Sequence, residues 1–195
     1  MFHASARALA VTLVSGSLIA AAPAAADAPA PKRYTINPVS SIGGVKLGMP
    51  YAAALAAWGK GSDCQEQDEA AAAAGHPIDR STMLGDCSWR DESKPGTTGA
   101  RGRGTILFKD GKVRQIAIFA QQNSKYIPTS KGPLGKFKVK GTKYGLGSPV
   151  GSIQKKLKGK GTSSGVGVTK GGKYLNFSSS GGKVSDISLG YSSDR

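Results

Sequence analysis

Apolar side chains recur at helical spacing in two distant parts of the chain, LGMPYAAALAAWGKG and LGSPVGSIQKKLKGKG. In both stretches they fall at positions i, i+3 and i+7, which gathers them on one face of a helix. The positions concerned are Tyr51, Ala54 and Trp58 in the first stretch, and Val150, Ile153 and Leu157 in the second. Each predicted helix follows a Leu-Gly-x-Pro sequence and stops at Gly-Lys-Gly, so we interpret the two as copies of one unit.

Apolar and polar residues alternate in the sequence that follows each predicted helix, and this alternation predicts antiparallel strands. The stretches ILFKDGKVRQIAIF (106–119) and YLNFSSSGGKVSDISLG (174–190) each hold a hairpin dipeptide, Asp-Gly or Gly-Gly, before alternating Ile and Leu. Each stretch also places an aromatic residue, Phe108 or Phe177, before its turn. The sequence therefore predicts the α+β class, with two tandem modules that each pack a helix on an antiparallel β-sheet.

The first predicted module is longer in its middle. The stretch SDCQEQDEAAAAAG predicts a second helix with a capping box at Asp63 and Glu66, ended by His76-Pro77, so this module should hold a helix-loop-helix. Residues 91–104, rich in Gly, Thr and Ser, predict a mobile hairpin loop.

The first 26 residues have the pattern of a secretory signal peptide, with Arg7, an apolar run at 8–22 and an Ala-Ala-Ala site before Asp27. We therefore expect a secreted protein, extracellular or periplasmic after cleavage. Residues 27–37 predict a flexible, solvated leader. The first module is expected at 38–122, a linker at 123–135, and a second, lysine-rich module at 136–195.

The mature chain holds two cysteines, Cys64 and Cys87. Because an exported chain passes through an oxidising compartment, we expect them to form a disulfide. A redox or metal site is the weaker interpretation, since the spacing is not C-x-x-C and His76 is the one histidine of the mature chain. Neither a metal nor a cofactor is expected.

Charge is divided unevenly between the halves. Residues 121–195 hold 13 Lys and one Arg against two Asp, a balance of +12, whereas residues 27–120 hold 12 basic and 10 acidic groups, a balance of +2. Such a basic half attracts anionic polymers or membranes through a salt-dependent force.

The stretch KFKVKGTKY (136–144) predicts a strand with Lys136, Lys138 and Lys140 on one face. Lys155 and Lys156 extend this positive field, and Lys158 and Lys160 could do the same. An anionic polymer or an acidic protein surface is the expected partner, with nucleic acid a less specific candidate. The alternative is an edge strand that its lysines guard against aggregation.

No catalytic constellation stands out, and the sequence predicts neither an enzyme nor a small-molecule substrate. Ser152 and Lys155 form an S-x-x-K tetrapeptide, but the supporting motifs of that class of enzyme are missing, so we interpret the match as coincidence.

Leu47, Gly48 and Met49, the first helix face, the two cysteines and the final hairpins resemble the module of secreted β-lactamase inhibitor proteins and of BamE/SmpA-type outer-membrane lipoproteins. The resemblance covers roughly residues 40 to 190. It implies a helix packed on a four-stranded antiparallel sheet in each module. It also implies an alternative function, a protein inhibitor or envelope chaperone that grips a folded partner through its sheet faces. Trp89, Arg101 and Arg103 are the residues expected to contact that partner.

Overall fold

The computed structural model describes residues 28–91, 102–122, 127–162 and 164–194. The expected signal peptide, Arg101 and most of the expected loop at 91–104 lie outside these ranges, as do residues 123–126 of the expected linker.

Three α-helices occur in the described part of the chain, α1 (Tyr51–Trp58), α2 (Asp63–Ala73) and α3 (Val150–Leu157). Short 3-10 helices cover Pro133–Lys136 and Ser192–Asp194. The strands are β1 (Thr35–Asn37), β2 (Ser41–Ile42), β3 (Val45–Lys46), β4 (Gly85–Asp91), β5 (Gly102–Lys109), β6 (Lys112–Phe119), β7 (Lys138–Val139), β8 (Lys160–Thr162), β9 (Gly165–Lys170), β10 (Lys173–Ser180) and β11 (Lys183–Tyr191). Within the described ranges, no helix has the length and apolar character needed to span a membrane.

The strands form two sheets that are mainly antiparallel. The larger has seven strands in the order β4-β5-β6-β11-β10-β9-β8, and the smaller has four in the order β3-β2-β1-β7. The fold is thus α+β with helices packed on sheets, as predicted. The two halves of the chain, however, share both sheets, because β6 pairs with β11 in the larger one and β1 pairs with β7 in the smaller one.

Matching hydrogen bonds tie the start of α1 and α3 to a hairpin in each half. The Gly48 and Gly147 amides donate to the carbonyls of Val113 and Val184, both at 2.8 Å. Further along the chain, the Tyr51 and Val150 amides donate to Gly111 and Gly182 at 2.9 and 3.0 Å. Gly48 and Gly147 have φ values of 79° and 73°, a conformation that favours glycine, so the two Leu-Gly-x-Pro sequences do the same structural work.

The two central strands pair about a local pseudo-twofold axis. Val113 and Val184 occupy corresponding positions in the bonds above, and Ala117 and Ser188 each lie four residues further along the chain. These two corresponding residues are directly opposite each other in the β6–β11 register. Ile116 faces Leu189 on one side of this pair, and Ile118 faces Ile187 on the other. The chain therefore resembles a two-fold symmetric dimer joined into one polypeptide.

Residues 28–37 differ from the solvated leader that composition predicted. Pro29 and Pro31 are buried, the Ala30 amide donates to the Trp58 carbonyl at 2.8 Å, and Ile36 is fully buried in β1. The segment is ordered by this packing because β1 supplies the strand that joins β2 to β7. The expected linker is also partly packed, since Leu134 in its 3-10 helix is 1% exposed.

One hydrophobic core runs through both halves and lies on one side of the larger sheet. Trp58 of α1 meets Trp89 of β4 with ring centroids 5.1 Å apart, and its Nε1 donates to the Ile42 carbonyl at 3.0 Å. Ile153 of α3 occupies the same core beside the second-half strands. As the periodicity predicted, the apolar stripes of α1 and α3 point inward.

Two local details of the prediction were wrong. The residue that caps α2 is Ser62, whose hydroxyl accepts from the Gln65 amide at 3.1 Å, while Asp63 instead accepts from the Ser88 amide at 2.8 Å and so links the helix to β4. The helix ends at Ala73, before the predicted stop at His76-Pro77.

Phe108 and Phe177 do not occupy corresponding positions in the two halves. When the Asp110-Gly111 turn is aligned with the Gly181-Gly182 turn, Phe108 corresponds to Ser179. Both hairpins carry a register shift at this point, between Leu107 and Phe108 and between Ser178 and Ser179.

The predicted disulfide is present, with Cys64 of α2 bonded to Cys87 of β4, and both cysteines are buried. It closes a loop with a sequence separation of 23. Because a cross-link of this length restricts the unfolded chain, Cys64→Ala/Cys87→Ala should lower the free energy of unfolding by about 3 kcal/mol. Urea unfolding measures this, and a reductant should lower the wild-type midpoint equally while leaving the variant unchanged. An unaltered midpoint in the variant would contradict the assignment.

A polar cluster ties α1 to α2 and to the segment that follows it. The Tyr51 hydroxyl donates to Asp68 Oδ2 at 2.6 Å, and Arg80 bonds the same carboxylate at 2.7 Å. Burial, together with the bond to Asp68, raises the pKa of Tyr51 well above its usual range.

The folded protein therefore favours the neutral form of Tyr51, whose unfolded pKa is about 10. The resulting stability is complete below about pH 10 and is lost as pH rises beyond it. Tyr51→Phe should be less stable by about 1 kcal/mol near neutral pH and should lose stability less steeply above pH 10. Urea unfolding across this range tests the expectation, and equal alkaline slopes for the variant and the wild type would contradict it.

Candidate anion-binding face

The larger sheet has a core side and an open side. Alternate residues of its strands enter the core, where they meet α1 and α3, and the intervening residues point to the opposite side. We call this second side the open face. Residues that lie directly opposite one another on neighbouring strands form a row across the middle of this face.

Small residues occupy that middle row, and we call them the floor. The floor consists of Ser88, Thr105, Ala117, Ser188, Asn176 and Gly167, one from each of six neighbouring strands. Lys160 of β8 continues the same row beyond Gly167. At about 4.8 Å per strand, the distance from Ser88 to Lys160 is about 29 Å.

A lysine-lined groove lies at the second-half end of the floor. Its cavity of about 460 Å³ is bordered by Lys158, Lys160, Thr169 and Asn176, with Gly159, Gly167 and Val168 completing the wall. Lys158 ends α3 in a left-handed conformation with φ 50° and ψ 33°. Among the described residues no carboxylate borders this cavity, which combines two ammonium groups with the hydroxyl and amide of Thr169 and Asn176. Such a set of donors suits phosphate, sulfate or carboxylate groups.

An arginine-lined groove lies toward the first-half end. Arg90 and Arg103 are directly opposite each other in the β4–β5 register, and they border a cavity of about 450 Å³ together with Gly102 and Phe119. The Arg103 guanidinium lies 5.4 Å from the centre of the Phe119 ring. A neighbouring cavity of about 200 Å³ shares Arg103 and Phe119, reaches the floor at Thr105 and Ala117, and is also lined by the acidic residue Asp86.

Lys136, Lys138 and Lys140 belong to a different part of the fold. Phe137 and Val139 are buried between them, so the predicted alternation is confirmed, but only Lys138–Val139 is strand. Lys136 ends a 3-10 helix with its Nζ 5.3 Å from the Tyr34 ring centre, and Lys140 lies in a turn. Partial burial lowers the pKa of Lys138.

Lys155 and Lys156 are exposed near the C-terminal end of α3. They therefore belong with the groove at Lys158 rather than with the smaller sheet, and the five lysines that the sequence grouped are divided between two places. Over residues 127–162 and 164–194, no lysine forms an ion pair with a carboxylate.

Three residues were predicted to contact a protein partner, and for Trp89 that prediction is wrong. It is fully buried against Trp58 and its Nε1 donates to the Gly59 carbonyl at 3.3 Å, so it cannot reach another molecule. Arg103 is exposed on the open face, and Arg101 lies outside the described residues.

Two other chemical candidates find no supporting geometry in the described residues. Ser152 is half-buried and Lys155 exposed on α3, and neither lines any of the cavities at the open face. Asp63 lies beside Cys64 and Cys87, but both sulfur atoms are used by the disulfide.

Sequence reasoning missed Arg90, Thr169 and Asn176. The alternation in β10 could have placed Asn176 on the polar face of its strand, whereas its position beside Lys160 depends on the strand order. The opposition of Arg90 and Arg103 depends on the register across the β4–β5 connection, which the sequence pattern leaves open.

No protein-family model, curated protein or solved structure matches this chain. The resemblance to β-lactamase inhibitor proteins and to BamE/SmpA-type lipoproteins therefore stays a prediction.

Proposed function

We propose that this protein is exported and works without catalysis, holding an anionic envelope polymer or an acidic partner through the lysines of its second half. The observation that carries the proposal is the groove of Lys158 and Lys160, which pairs two cations with Thr169 and Asn176 and whose described wall residues include no carboxylate. A cavity lined by unpaired cations concentrates anions by long-range attraction and then holds them by charge-assisted hydrogen bonds.

The surroundings of the groove strengthen its field. Lys155 and Lys156 stand on the last turn of α3, immediately before Lys158. Asp186 and Asp194 are the two acidic residues of the second half, and Asp194 is paired with Arg114 at 2.7 Å. Little negative charge is therefore available to neutralise these lysines from within.

Dextran sulfate, a linear polyanion, tests this proposal by titration calorimetry at several salt concentrations. Lys158→Gln/Lys160→Gln should weaken binding by about tenfold and reduce the salt dependence by about two released ions, because two charge contacts are lost. The matched pair Lys136→Gln/Lys140→Gln removes the same charge from the smaller sheet and should weaken binding by less than about threefold, through the general field alone.

Salt-independent binding would contradict the proposal, since counterion release must accompany contacts to a polyanion. Equal losses in both variants would also contradict it, because they would show that net charge rather than the groove is responsible. A loss confined to the Lys136 and Lys140 variant would place the site at the smaller sheet instead.

A second candidate function is that of a protein inhibitor or envelope chaperone whose sheet face grips a folded partner. Arg103 over the Phe119 ring favours it, together with the 38% exposed Leu107 of the same cavity, because arginine and aromatic anchors are typical of protein interfaces. Inhibition of an exported hydrolase such as a β-lactamase that survives the Lys158 and Lys160 substitutions would support this candidate over the first.

A further inference from the structure

Arg90 and Arg103 are placed in a way that the fold alone does not explain. Like charges directly opposite in an antiparallel pair are destabilising. Over residues 28–91 and 102–122, neither guanidinium is paired with a carboxylate, and the Phe119 ring is the partner of Arg103. An anion held between two guanidinium groups would relieve their repulsion and could be bonded through two oxygens at once. The pair therefore has the character of a second anion site.

The two anion sites lie at opposite ends of one row. The floor leads from the strand of Arg90, across Ala117 and Ser188 at the pseudo-twofold axis, to Lys160 in β8. Ser88 and Ala117 are 4% and 7% exposed and the Thr105 hydroxyl is buried, so Ser188, Asn176 and Gly167 form the accessible part of the floor. Asp86 and Asp186 are the acidic residues on this face, and each accepts a hydrogen bond from a neighbouring serine hydroxyl.

We propose that the open face is a continuous binding track for a linear acidic polysaccharide that lies across the strands. Carboxylates of the polymer bind Arg90 and Arg103 at one end and Lys158 and Lys160 at the other. Sugar hydroxyls bond Ser188 and Asn176, the half-buried polar side chains of the floor, between them. This inference rests on the proposed function, and it adds the chemical class of the ligand and a site in the first half.

The composition of the track favours a glycan over the other linear polyanions. Proteins that hold single-stranded nucleic acid stack its bases on exposed aromatic rings. Of the two rings in the described rows of this face, Phe119 lies under a guanidinium and Tyr174 is 7% exposed. Hydroxyl and amide groups along the floor instead match a ligand that is rich in hydroxyls. A folded partner would require large anchors at the centre, where Ala117 and Ser188 lie.

Galacturonate chains of graded length test the track with the full mature protein. Polygalacturonate long enough to span about 29 Å should bind about 100-fold more tightly than digalacturonate, because it occupies both grooves at once. Arg90→Gln/Arg103→Gln should lower the affinity for polygalacturonate by at least about tenfold. The affinity for digalacturonate at the lysine groove should change by less than about twofold. Ser188→Trp, which fills the middle of the floor, should act in the same direction.

Lys46→Gln/Lys60→Gln is the matched control, since it removes two exposed cations of the first half that lie away from the open face. This control should bind polygalacturonate within about threefold of the wild type. Far-ultraviolet circular dichroism and urea unfolding establish that each variant is folded.

Equal affinity for the long and short chains would overturn the track, as would equal losses in the arginine variant and its control. Tighter binding of single-stranded DNA of equal charge, with the same dependence on Arg90 and Arg103, would overturn the assignment of the ligand as a glycan. None of these three outcomes alters the dextran sulfate result at Lys158 and Lys160, so a failure of the track is distinct from a failure of the proposed function.

Discussion

The antiparallel pairing of β6 with β11 is the contact on which the rest of the molecule depends. It joins three strands of the first half to four strands of the second half at Ala117 and Ser188 and makes them one sheet with one core side. Ile116, Ile118, Ile187 and Leu189 are fully buried beside this junction, so the pairing is held by apolar contact as well as by the ladder. Without it, the two grooves of the open face would have no fixed distance between them.

The two halves have kept the same framework and differ in what they add to it. The first half adds α2, the disulfide and the Trp58–Trp89 contact, and so carries the denser packing. The second half replaces α2 with the short strand β8, whose residues are lysine, glycine and threonine. Because β8 lies at the end of the larger sheet, Lys160 remains available to solvent beside the cavity. The disulfide and the paired tryptophans thus lie in the first half, and the lysine-lined groove lies in the second.

The local elements could be predicted because their signals are local. Helix periodicity, the Leu-Gly-x-Pro starts and the Asp110-Gly111 and Gly181-Gly182 turns depend on neighbours within a few residues. The division of strands between sheets could not be predicted, since β6 and β11 are separated by a long stretch of sequence and alternation fixes faces but not partners. For the same reason a proline-rich segment was taken for a solvated leader, although its β1 strand lies between β2 and β7.

The candidate site shows the same division. The excess of lysine in the second half and the exposure of Lys155 and Lys156 follow from the sequence pattern. The groove at Lys158 and Lys160 needed the pairing of β8 with β9, and Trp89 was misjudged because an aromatic residue on a short strand between polar neighbours can belong to either face. Arg90 could not be predicted as a site residue, because its role depends on the register that places it opposite Arg103.

The shared sheet is tested most directly by nuclear magnetic resonance of the isotope-labelled protein, read at the junction of the two halves. Nuclear Overhauser contacts are expected between the backbone protons of Ala117 and Ser188, flanked by contacts of Ile116 with Leu189 and of Ile118 with Ile187. Absence of these contacts in a folded protein, with each half keeping its own hairpin contacts, would contradict the shared sheet.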